Sequence, residues 1–121
     1  YVDQKAMGKI IVAPMDVYFG WKNVFQPDII FLSTSQTNLI QEGKIKGAPD
    51  LIIEVLSPGT EKFDRKEKKN VYEEHGVKEY WMIDVKTKDI TGYQLKENKY
   101  TEIPSETATI TSILLGTTIR F

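Results

Sequence analysis

The sequence predicts an α/β fold around a mixed sheet, and three features predict it. Short apolar segments of strand length recur along the chain. The run from Glu61 to His75 contains neither Gly nor Pro. Strands come both before and after that run, so a helix is inserted between sheet elements rather than appended to them.

The polar, mildly amphipathic stretch Tyr1–Met7 reads as the end of a helix, with Gly8 as its stop. The chain starts on Tyr1 without an initiator Met, so the expectation is an N-terminally truncated portion of a longer protein. KIIVAPMDVYFG then gives two apolar pieces interrupted at Pro14, which cannot donate to a ladder, so the segment reads as an edge strand, as two strands or as a bend around the proline. Val24 to Leu32 reads as one strand, almost wholly apolar from Ile29 onward, and STSQTNLIQEGKIKGA as a polar connection with a helical turn near Asn38–Gln41. PDLIIEVLS is apolar on both faces and is therefore expected at the centre of the sheet.

Thr60 as N-cap, Glu61 in the first turn and Gly76 as stop bracket the helix. EYWMIDV is the next strand, GYQLKENKYTEI a hairpin turning at Glu97-Asn98, and ILLGTTIRF a last strand. With 121 residues, the whole chain from 1 to 121 reads as one domain, too short for two independent cores.

Composition restricts the chemistry. Hydrophobic residues make up 40% and charged residues 27%, a balance that buries a core and argues against disorder. No apolar run approaches the roughly 20 residues of a membrane span. No cysteine is present, which excludes thiolate metal sites and disulfides and fits a cytoplasmic location. His75 is the sole histidine, so multi-histidine zinc sites and histidine-based triads are improbable within one chain. Any catalysis falls to carboxylates, lysine, tyrosine or hydroxyls. A net charge of −1 does not advertise a polyanion ligand, so a local patch would have to attract one.

Acids inside apolar strands stand out. Asp28 lies between Pro27 and Ile29-Ile30-Phe31, and Glu54 lies between Ile52-Ile53 and Val55-Leu56. A bare buried carboxylate costs several kcal/mol unless it is paired, protonated or bound to a cation. Two such acids, without Cys or His nearby, suit a hard cation such as Mg²⁺ or Mn²⁺. Asp28 alone also reads as a turn aspartate. Asp50 shares the face of Glu54 but sits roughly 13 Å away at about 3.3 Å per residue. It reads as a cap or turn residue, at most a supporting one.

On the helix, Val71 and Tyr72 mark the apolar side, and Lys68 falls between them in angle, with Asp64 and His75 near. Lys62, Arg65, Lys66 and Lys69 point away, as a solvated face or a phosphate-tracking surface. Asp64 is placed to hold Lys68 by an i,i+4 pair. Two carboxylates and a lysine around a divalent cation suit phosphodiester hydrolysis. Tyr80 and Trp81 read as strand packing, with base stacking as the alternative, and His75 reads as serving the helix C-terminus.

QPDII at 26–30, GAPDLIIEVLSP at 47–58, D-x-x-x-K with a following Tyr at 64–72, and GVKEYWMID at 76–84 together resemble the Uma2 family, as does the closing SILLGTTIRF. This is a bacterial family of restriction-endonuclease-like proteins. The resemblance implies a PD-(D/E)xK fold, whose core of helix, three strands, helix and strand here carries added C-terminal strands. Its PD motif maps onto Pro27-Asp28 and its acidic strand residue onto Glu54. The usual lysine two residues after that acid is replaced by Leu56, and the matching lysine is Lys68 on the next helix. Much of the family's N-terminal portion is missing from this sequence.

The expected activity is a Mg²⁺- or Mn²⁺-dependent endonuclease acting on nucleic acid, with DNA as the leading substrate. Asp28, Glu54 and the Val55 carbonyl would bind the metal, Lys68 would serve the attacking water or the transition state, and Asp64 would orient Lys68. Cutting both strands would favour a homodimer. The alternative is a nuclease-like fold kept as a non-catalytic binding or assembly module.

Overall fold

A computed structural model describes residues 8–20, 22–56, 62–84, 86–104 and 109–120. Their elements are β1 (Gly8–Val12), β2 (Val17–Phe19), β3 (Asn23–Phe25), β4 (Ile29–Ser33), a 3₁₀ helix (Thr34–Leu39), β5 (Ile40–Gln41) and β6 (Lys44–Lys46). After these come β7 (Leu51–Leu56), α1 (Lys62–His75), β8 (Glu79–Asp84), β9 (Ile90–Lys96), β10 (Lys99–Ile103), β11 (Thr109–Ser112) and β12 (Thr117–Arg120). The fold is mixed α/β and mostly strands.

The main sheet has the order β1-β4-β7-β8-β9-β10. Only β7 and β8 pair in parallel there, and α1 connects them, because a parallel pair needs a crossover rather than a tight turn. A smaller sheet, β3-β2-β6-β5, and the β11–β12 hairpin complete the described strands.

β7 is apolar on both faces because both faces are covered. Ile52 turns toward α1 and the small sheet, where it joins Phe19, Ile30, Tyr72 and Tyr80. Leu51 and Ile53 turn the other way, onto Trp81, Ile83 and Ile110 beneath the β11–β12 hairpin. Alternation then sends Glu54 to the helix side with Ile52. Trp81 lies across Gly92, its cross-strand partner, where any Cβ would collide with the indole ring.

Glu79 opens β8 and is 1% exposed. Its carboxylate accepts the Trp81 indole N–H at 3.0 Å, the Ser112 hydroxyl at 2.8 Å and the Leu114 amide. The last two partners lie on the β11–β12 hairpin, so this acid fastens the hairpin to the sheet.

Several sequence expectations meet the structure directly. α1 ends at His75 on Gly76, whose φ of 87° lets the Val77 amide reach the Tyr72 carbonyl and the Gly76 amide reach that of Glu73. The hairpin does turn at Glu97-Asn98, both with positive φ. β7 is central, and the break at Pro14 separates β1 and β2 into different sheets.

Three expectations are corrected. Val24–Leu32 is not one strand: β3 belongs to the small sheet and β4 to the main one, because Pro27 has no N–H to continue a ladder. The polar connection contains the 3₁₀ helix and the β5–β6 hairpin, whose Ile45 is fully buried. ILLGTTIRF is not one strand either: residues 113–116 form the turn between β11 and β12, with Gly116 at φ 66°. The helix end over Tyr1–Met7 and the Thr60–Glu61 start of α1 lie outside the described residues.

Candidate functional site

The register of β4 on β7 pairs Ile29 with Ile53 and Ile30 with Ile52, so Asp28, just before β4, falls beside Glu54. Asp28 Oδ2 accepts the Val55 amide N–H at 2.6 Å. This bond ties the Asp28 loop to β7 where the ladder itself has ended. Pro27 and Asp28 thus act together: the proline ends the pairing and the carboxylate replaces it.

From the helix side, two successive turns of α1 reach the same carboxylate. Lys68 Nζ lies 3.5 Å from Glu54 Oε2, and the Tyr72 hydroxyl donates to that oxygen at 2.8 Å. The i,i+4 spacing stacks Lys68 and Tyr72 on one face. Lys68 also lies 5.7 Å from the Phe25 ring centroid, and Phe19 and Phe25 pack on Tyr72, at 5.1 and 5.9 Å between centroids. The small sheet therefore buttresses the helix face that meets Glu54.

Burial holds the Glu54 carboxyl above its ordinary range, with the Asp28 charge adding to the shift and Lys68 and the Tyr72 hydrogen bond opposing it. Burial, followed by the Glu54 charge, pushes Tyr72 far above the ordinary phenol value, so it stays protonated and donating.

Asp28, Glu54, Val55 and Lys68 are thus brought together. Asp50 is not among them: it lies at the other end of β7, its amide bonded to Gln36 Oε1 at 2.9 Å and its carboxylate 3.6 Å from Lys78 Nζ. The Asp64 side chain lies outside the described residues, as do those of Lys62 and Arg65. Lys66 is exposed, whereas Lys69 is not simply solvated: it sits 4.2 Å from the Tyr93 ring centroid. Tyr80 and Trp81 are fully buried and present no stacking surface. His75 donates from Nδ1 to the Val71 carbonyl at 2.9 Å, a helix-terminal role.

Tyr72 and Phe25 are the neighbours that sequence reasoning missed. Tyr72 counted as a marker of the apolar face and as part of the family motif, with no role at Glu54, although its position four residues after Lys68 was the available signal.

Among the described residues no three His, Cys, Asp or Glu side chains cluster as a metal site. Asp28 and Glu54 supply two carboxylates beside the Val55 backbone. That oxygen set fits Mg²⁺ or Mn²⁺, which are held by one or two carboxylates, with waters and substrate phosphates completing the shell. Burial also keeps the Glu54 carboxyl above its ordinary range in the metal-free protein.

The shift makes a stability prediction for the metal-free protein. The unfolded chain releases the Glu54 proton at its ordinary value, while the folded chain keeps it to higher pH. Folding stability is therefore greatest below that ordinary value and falls as pH rises through the folded one. In EDTA at neutral pH, Glu54→Gln should melt at a higher temperature than wild type. The difference should vanish by about pH 4, where both carry a neutral side chain. A variant less stable at neutral pH would contradict it.

Comparison with known proteins places the chain in a family. The family model of Uma2, described as "Putative restriction endonuclease", matches residues 1–120. The fold is similar to the crystal structure of a protein from Anabaena variabilis ATCC 29413, described as "a putative nuclease belonging to DUF820". The TM-score is 0.73 at 20% identity, over 95% of this chain and 65% of that one, so this chain spans about two-thirds of that protein. No curated protein matches the sequence. With its family model matched over almost its whole length, the chain belongs to the Uma2 family.

Proposed function

We propose that this chain is a Mg²⁺- or Mn²⁺-dependent nuclease that hydrolyses phosphodiester bonds of nucleic acid, with DNA as the foremost substrate. The observation that carries the reading is the convergence of Asp28, Glu54 and Lys68, from a loop, a central strand and a helix: Lys68 pairs with the buried Glu54 carboxylate, and Asp28 lies beside it by register, bonded to the Val55 amide. Membership of a family described as restriction endonucleases supports it.

Asp28 and Glu54 would hold the cation, with the Val55 carbonyl as a further oxygen donor. When bound, the cation polarises a phosphate and lowers the pKa of water. Lys68, whose side chain is 24% exposed, can reach a phosphate oxygen or the attacking water while its ammonium stays beside Glu54. Tyr72 is a positioning residue: its hydroxyl fixes one oxygen of Glu54 and cannot itself act as a base. Asp64, one turn before Lys68, is the candidate to orient that lysine.

A second reading has its own support. The Lys68–Glu54 ion pair already neutralises the buried acid, an arrangement that would also suit a non-catalytic module that binds without cutting.

Calorimetry with MgCl₂ and MnCl₂, paired with plasmid and oligonucleotide cleavage, separates the two. Wild type is expected to bind the cation and cut, and Glu54→Gln to do neither. A wild-type protein that gives no binding heat and leaves every substrate intact would remove the enzymatic reading.

A further inference from the structure

Lys44 and Lys46 play no part in the site around Glu54, yet they share one face of the small sheet with Tyr18. Alternation along β2 buries Val17 and Phe19 against the core and turns Tyr18 outward. Along β6, Ile45 is fully buried, which turns Lys44 and Lys46 outward as well. The register sets Tyr18 beside Lys46 on one side and Val24, 43% exposed, on the other. Lys44 Nζ lies 5.5 Å from the Tyr18 ring centroid.

These three side chains line a cleft of about 540 Å³ with Gly20 and Gly47, which have no side chain to fill it. No carboxylate among the described residues pairs with Lys44 or Lys46. In a chain of net charge −1 this is a local basic patch with an aromatic ring at its centre. Such a ring offers a π-face to any base, and flanking ammonium groups can neutralise backbone phosphates.

We propose that this cleft is a docking surface for a single strand of nucleic acid, with a base stacked on Tyr18 and phosphates on Lys44 and Lys46. The assignment rests on the nuclease reading above and names how that substrate is gripped away from the metal. Lys44 covers the ring in the free chain, and an exposed cation–π contact is weak enough to yield to a phosphate. The cleft and the site are mechanically joined. Phe19 follows Tyr18 in β2 and packs on Tyr72, which donates to Glu54.

Fluorescence anisotropy of a labelled oligothymidylate in EDTA tests the surface without cleavage. The double variant Lys44→Ala/Lys46→Ala should bind about tenfold or more weakly, and its dependence of log K on log salt should flatten by about 1.4, the share of two phosphate contacts. Tyr18→Ala should weaken binding several-fold with the salt dependence unchanged. Lys44→Arg/Lys46→Arg should bind as wild type, which separates lost charge from lost folding.

Wild-type affinity in the alanine double variant would overturn the proposal, as would equal binding of a duplex with no effect of Tyr18→Ala. Binding that needs the cleft in a protein that never cuts would sink only the nuclease reading. Cleavage by wild type with binding indifferent to the three substitutions would sink only the docking surface.

Discussion

Lys68→Ala is expected to lower cleavage by about 10²–10³-fold, the usual effect of removing one donor that stabilises developing negative charge. If Asp28 and Glu54 hold the cation as proposed, heat of Mg²⁺ or Mn²⁺ binding should persist, because Lys68 would donate nothing to it. This proposed division of roles rests on contacts that survive the substitution: the Val55 amide on Asp28 and the Tyr72 hydroxyl on Glu54 remain when the Lys68 ion pair to Glu54 is lost. In the proposed role the lysine would act on charge that exists only in the transition state, so the loss should fall on kcat rather than KM. Lys68→Met is the companion variant, retaining the apolar stem beside Phe25 without the ammonium. If both variants cut as wild type does, the lysine has no catalytic role and its bond to Glu54 is structural.

The legibility of this site in the sequence was uneven for physical reasons. Glu54 was legible because a charge in the middle of IIEVL demands a partner, and strand alternation told which face it would occupy. Lys68 was legible because helical angle sets it between Val71 and Tyr72, well apart from Lys62, Lys66 and Lys69, and the family motif singles it out from Arg65, which lies only about 20° from Tyr72. The Asp28 contact was half legible: the Pro-Asp pair marked a turn, but the hydrogen bond to Val55 depends on the register of β4 on β7, a long-range feature with no local signature. The same holds for the small sheet. Its strands are three residues or fewer, too short to establish a period of two, so β5 and β6 were hidden in a polar stretch. The Phe19 and Phe25 packing on Tyr72 follows from that sheet and was hidden with it. Glu79 escaped for another reason. At the first position of a strand a glutamate reads as exposed, and only the β11–β12 hairpin, distant in sequence, buries it.

That hairpin gives the largest expected effect on stability. Glu79→Ala should destabilise the fold by about 3–5 kcal/mol, the scale of several buried neutral donors left without an acceptor together with a vacated volume. Three donors lose their acceptor together: the Trp81 indole N–H, the Ser112 hydroxyl and the Leu114 amide. A buried donor left unsatisfied costs about 1–3 kcal/mol, and the vacated volume adds a cavity. Against this stands the relief of a buried carboxylate, for no lysine or arginine among the described residues pairs with Glu79. The donors outweigh it, because in the native fold they are what solvates the anion. Since a domain of this size holds about 5–15 kcal/mol in total, the variant should lose much of its margin. Urea unfolding measures the loss, and hydrogen exchange locates it: β11–β12 amides should lose protection before those of β7 and β8. Glu79→Gln, which keeps an acceptor for part of the set, should lose less. Uniform loss of protection across the sheets would show that Glu79 supports the β8 core rather than anchoring the hairpin.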